Sequence, residues 1–132
     1  MLDVGCGGEL LADLLRIWSD ALLFDFDPVA VGVEVDAARH ADDARIQIVQ
    51  SSVEKVDSAP ALQGVEIDLA ICHLDLALRS DPVRGSTAVL SRLSPGGLLS
   101  IVGLATAVSA FGDDPYGEIK ADSVLYGLVS RA

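Results

Sequence analysis

Cysteine is scarce in this chain of 132 residues: only Cys6 and Cys72 are present. Two thiols are too few for a disulfide framework, which argues for a reducing, cytoplasmic setting. No apolar run reaches the roughly 18 to 20 residues that a membrane span needs. No basic start leads into an apolar stretch, so neither a membrane partner nor secretion is indicated. Basic residues are also few, 9 against 20 acidic ones, giving a formal charge of −11. Nucleic-acid affinity rests largely on Lys and Arg neutralising phosphates. The charge therefore argues against a nucleic-acid partner and favours a neutral or cationic small molecule. Internal repeats and low-complexity segments are absent.

What is present is apolar, with 51% hydrophobic residues, enough for a folded core in one domain spanning residues 1–132. Short apolar runs alternate with amphipathic stretches. Leu2 to Val4 reads as a strand end, and Leu10, Leu11, Leu14, Leu15 and Trp18 recur at helical spacing. "AVGVEV", Ala30 to Val35, reads as a second strand, with Asp36 capping a helix after it. "RIQIV", Arg45 to Val49, reads as a third. Val53 to Gln63 is helical in part, interrupted by Pro60. Val65 to Leu74 and Leu98 to Leu104 read as buried strands. Between them Asp81-Pro82 opens a helix that runs to about Leu93, and Ser94 to Gly97 form a turn. Ser123 to Ser130 reads as a strand or a short helix. Strands alternating with helices imply an α/β fold, a doubly wound and mostly parallel sheet covered on both faces.

Between the first strand and the first helix stands Asp3-Val4-Gly5-Cys6-Gly7-Gly8. In an open parallel sheet, ligands bind at the carboxyl ends of the strands, where a helix N-terminus adds exposed N–H groups. A dinucleotide fingerprint, Gly-x-Gly-x-x-Gly, fails here because Leu10 stands where its last glycine belongs. The stretch instead resembles the first motif of the class I S-adenosylmethionine-dependent methyltransferases, Asp-x-Gly-x-Gly-x-Gly, which "LDVGCGGEL" matches through Gly7.

Further segments are similar to that family in the same order, over roughly residues 1–105. "VGVEVD" resembles the acidic end of the second strand, which implies that Glu34, or Asp36, binds ribose hydroxyls. "QSSVEK" puts Ser52 where the family often has an acid for the adenine amino group, with the Val53 N–H beside it. "IDLAICHLDLAL" looks like the segment lining the methyl-transfer site, and "LSRLSPGGLLSIVGL" like the entry to the fifth strand. The resemblance implies a Rossmann-like methyltransferase core with S-adenosylmethionine as cofactor. It assigns the pocket to Asp3, Gly5, Cys6, Gly7 and Gly8 from the loop. Glu34 and Val35, Ser52 and Val53, and His73 complete it. It also implies a divergent segment over residues 106–132. The sheet edge there would be incomplete and open to a partner chain, so a homodimer is expected. Asp3 and Glu34 are 31 positions apart, against about 20 in nucleotide-binding units of this kind. The surplus falls in "WSDALLFDFDPVA", expected as a longer helix or an extra loop.

Methyl transfer needs a general base only if the acceptor must lose a proton. His73 and Asp75 follow the fourth strand, and His73 is the better base because imidazole titrates near neutrality. The simpler reading makes His73 a hydrogen-bonded strand-end residue and Asp75 a helix cap or exposed acid. His40 with Asp36 and Asp42 reads as a solvated helix face, since no second ligand has metal spacing. "DDPY", Asp113 to Tyr116, reads as a turn. The function expected is methyl transfer to a small-molecule acceptor. The alternative is a catalytically impaired relative acting as a cofactor-binding or dimerisation module.

Overall fold

The computed structural model describes residues 1–5, 9–73, 81–104 and 124–130. The expectations for Cys6, Gly7, Gly8, Asp75 and the Asp113–Tyr116 turn lie outside these residues. Strands β1 (Leu2–Val4), β2 (Leu23–Asp27), β3 (Ile46–Gln50), β4 (Ile67–His73), β5 (Leu93–Leu104) and β6 (Val124–Ser130) form one sheet. Its order is β3-β2-β1-β4-β5-β6. The first five strands are mutually parallel, and β6 runs antiparallel to β5. Helices α1 (Glu9–Ile17), α2 (Ala30–Arg39) and α3 (Pro82–Arg92) supply the connections, with 3-10 turns over Val53–Ser58 and Pro60–Leu62.

Side chains alternate across the sheet. On one face Leu2, Val4, Phe24, Phe26, Ala70, Cys72 and Leu99 pack against Val53, Val56, Leu62, Ala88 and Val89 from the 3-10 turns and α3. On the other, Leu15 of α1 packs on Leu23, with Leu14, Ala21 and Ile46 around it.

The second strand is a correction. "AVGVEV" is not a strand: Ala30–Arg39 is helix α2, and the strand is "LFDFD" just before it. Alternating valines mimic a strand period, but Leu23, Phe24 and Phe26 have more apolar area to bury and all three are buried. Pro28 follows the strand, and in α2 Val31 and Val35 stand four residues apart on the solvent side, 68% and 51% exposed. Asp36 is therefore not the cap of a following helix. It sits inside α2, 4% exposed, with Arg39 Nη1 3.5 Å from its carboxylate. The N-cap position belongs to Val29.

Other boundaries follow local chemistry. Asp81 caps α3 by accepting the Arg84 N–H at 2.9 Å, with Pro82 at the first helical position. Arg45 donates to the Ser19 carbonyl at 2.8 Å beyond the C-terminus of α1, and is itself gripped by Asp43, Nε to Oδ1 2.9 Å. That grip holds the Asp43 carboxyl down to about 2. Ser94–Gly97 bulge out of β5: Leu93 pairs with Ile67, whereas the next pair is Leu98 with Leu69. Gly96 has φ 81°, and a Cβ on Gly97 would lie 2.9 Å from the Ile67 carbonyl, so glycine is required at both positions.

Candidate functional site

Strand register defines the site. Val4 pairs with Phe26 and Asp3 with Ile71. Continuing each ladder towards the carboxyl end sets Gly5 level with Asp27 on one side and with His73 on the other. Asp27 is in turn level with Gln50, and His73 with Val102. Asp27, Gly5 and His73 thus form a row across the carboxyl ends of three neighbouring strands. With strands about 4.8 Å apart, Asp27 and His73 stand about 10 Å from one another. The chain leaves β1 towards β2 through α1, while β4 flanks β1 on the opposite side, so the row straddles the topological switch point where open α/β sheets hold ligands.

Each member of the row has a local cause. Gly5 adopts φ 78°, which glycine tolerates without strain, and its N–H donates to the Phe26 carbonyl at 2.9 Å. Asp27 ends β2, and its Oδ1 accepts the Val29 N–H at 2.6 Å, which fixes the carboxylate against the start of α2. The Asp27 carbonyl accepts the Ser51 N–H at 3.1 Å, which ties the end of β3 to the same place. His73 ends β4 with Nε2 3.2 Å from the Ser100 hydroxyl of β5. Partial burial pushes its imidazole below the ordinary value and favours the neutral ring.

One level beneath lie Asp25, Asp3, Ile71 and Ser100, again in register across four strands. Asp25 and Asp3 are both buried there, side by side on the face that carries α1.

The residues expected from sequence are distributed unevenly. Gly5 and His73 fall in the row, and Asp3 lies just below it. Ser52 precedes the 3-10 turn that begins at Val53, next to the tether from Ser51 to Asp27, while the Val53 side chain is in the core. Glu34 and Val35 do not fall in the row. They lie on the exposed side of α2, because the segment is helical and not the end of a strand. The carboxylate that ends the second strand is Asp27, which sequence reasoning missed. The signal was present: Asp-Phe-Asp-Pro closes an aromatic run, and Asp27 lies 24 positions after Asp3, near the usual spacing.

A hollow of about 620 Å³ lies elsewhere, at the amino ends of the strands, lined by Ile17, Trp18, Asp68, Leu69 and Leu98. Its walls are mainly apolar, and it is remote from the row. No helix among the described residues is long and apolar enough to cross a membrane.

No protein-family model matches the chain. Among curated proteins, the ubiquinone biosynthesis O-methyltransferase of Xanthomonas campestris pv. campestris (strain B100) is 33% identical over 112 residues, 84% of this chain and 45% of the relative. The chain thus spans about half the length of the curated relatives it matches. Among solved structures, StiE O-MT residues 961-1257 superpose with a TM-score of 0.66 at 24% identity, over 76% of this chain and 36% of that one. The plantazolicin methyltransferase BpumL, in complex with a monoazolic desmethylPZN analog and SAH, gives a TM-score of 0.64 at 22% identity, over 78% and 38%.

Proposed function

We propose, from the premise that this chain is homologous to part of the class I S-adenosylmethionine-dependent methyltransferases, that it binds S-adenosylmethionine and methylates a small-molecule acceptor. The observation that carries this reading is the row of Asp27, Gly5 and His73 at the switch point of the sheet.

The donor set fits the cofactor. An ionised carboxylate accepts two hydrogen bonds and a ribose diol offers two donors, which suits Asp27. Gly5 turns the backbone away from β1 without a side chain, leaving room for the methionine portion, and Cys6, Gly7 and Gly8 follow it in sequence. Ser52 and the Val53 N–H suit the adenine edge. Bound S-adenosylmethionine would supply an electrophilic methyl group, the carbon–sulfur electron pair staying on sulfur as the methyl leaves. The chain's own task is to orient the acceptor, exclude water and take up the acceptor's proton. His73, with its neutral ring favoured, suits that last role. Asp75 remains the second candidate base.

The net charge of −11 supports a small acceptor over a nucleic acid. We further read residues 1–132 as one cytoplasmic domain that self-associates at a sheet edge, for which light scattering should report a dimer.

Calorimetric titration with S-adenosylhomocysteine tests the main reading. Micromolar binding is expected. Asp27→Ala should weaken it about 10- to 100-fold, since a charge-assisted hydrogen bond contributes about 1.5–3 kcal/mol, while Glu34→Ala should leave it unchanged. No binding by the intact chain, or equal affinity in Asp27→Ala, would overturn the assignment.

A further inference from the structure

The imidazole of His73 lies on the same face of the sheet as Ser100, diagonally across β4 and β5: Ile71 pairs with Ser100 and His73 with Val102. Among the described residues, the nearest charged groups on that face by register are Asp3, one level below on β1, and Asp27, at the same level on β2. The 3.2 Å contact engages Nε2, the ring nitrogen most exposed in an unrestrained histidine. Among the described residues this leaves Nδ1 as the nitrogen available to a substrate.

A serine hydroxyl both donates and accepts, so two arrangements satisfy the contact. Only one survives proton uptake. An imidazolium carries N–H on both nitrogens, so Nε2 must then donate to Ser100 Oγ. If Nε2–H already donates in the neutral ring, nothing has to reorganise when Nδ1 takes a proton.

We propose that Ser100 is a positioning residue, whose Oγ accepts the Nε2–H of His73 and so holds the tautomer that presents Nδ1 as the general base. This rests on the methyl-transfer reading above. In the step it serves, the acceptor's O–H bond breaks and its proton moves to Nδ1. The electron pair stays on oxygen and forms the new bond to carbon. The imidazolium then returns the proton to water. Ser100 touches neither reactant.

Long-range proton–nitrogen NMR on the ligand-free protein reads the tautomer without turnover. The chain has 2 histidines, and a His40→Gln background leaves only the His73 signal. The expected spectrum at neutral pH is the Nε2–H form. A wild-type spectrum with the proton on Nδ1 overturns the proposal, whatever becomes of the Ser100 variants. In Ser100→Ala the tautomers should mix and the ring should titrate lower, because the charged form has lost its acceptor. The acid limb of the kcat profile should move with it, kcat falling about tenfold with the KM for S-adenosylmethionine unchanged, and Ser100→Thr should restore both. An unaltered spectrum and acid limb in Ser100→Ala would also overturn it. Failure of S-adenosylhomocysteine binding, by contrast, counts against the cofactor reading and leaves the tautomer result standing.

Discussion

His73 shows how one residue can link stability to pH. Burial lowers its pKa from the ordinary 6.5. Below about pH 6.5 the unfolded chain takes up a proton that the folded imidazole resists. Its contribution to stability is thus fully present above that pH and declines as pH falls through the folded value. Thermal melts at pH 7.5 and 5.5 should show a larger loss in the wild type than in His73→Gln. The difference should be small, because the ring is only partly buried. Equal losses would mean that the ring is as well solvated in the folded chain as in the unfolded one. Asp43 adds a separate dependence at lower pH, lost as pH falls from the ordinary carboxylate range towards about 2.

Among the elements, α3 is the one whose start was most legible. Asp81 followed by Pro82 names both the cap and the first helical residue, and the structure uses both. Asp81→Ala should therefore cost about 0.5–2 kcal/mol by denaturant unfolding, the usual loss for an N-cap of this kind. No loss would mean that water replaces the cap. Strands β1, β4 and β5 were equally readable, as compact apolar runs between turn residues. The β2–α2 segment was not. Val31, Val33 and Val35 alternate as a strand would, and only competition for the interior decides against them. Leu23, Phe24 and Phe26 take the central place, and the valines are left to a helix that shows two of them to solvent. That one exchange put the expected strand-end carboxylate at Glu34, whereas the strand ends in Asp27. His73 was legible as a strand-end residue because it closes the apolar run of β4, and it does end that strand. The contact of His73 with Ser100 was not legible, because a serine inside an apolar run gives no sign of what lies diagonally across the neighbouring strand.

At the scale of the whole molecule, charge and burial pull in different directions. A chain with net charge −11 repels itself when compact. Raising sodium chloride from about 10 mM to a few hundred mM shrinks the screening length from roughly 30 Å to below 10 Å. The melting temperature should rise over that range, and a flat or falling response would show that the surface charges are already balanced locally. The sheet itself is divided in its tasks. One face carries the larger apolar core, against α3 and the 3-10 turns, and the other carries Asp3 and Asp25 beneath the strand-end row.

β1 has only three residues, yet it stands between the strand that ends in Asp27 and the strand that ends in His73. It acts as the spacer that sets how far apart those two side chains stand. A slip of a single position along either neighbour would turn Asp3 into the greasy interior and carry Leu2 and Val4 out of it. Such a misalignment is costly enough that the gap between the two outer side chains is kept by the packing of two aliphatic residues on the opposite face of the sheet.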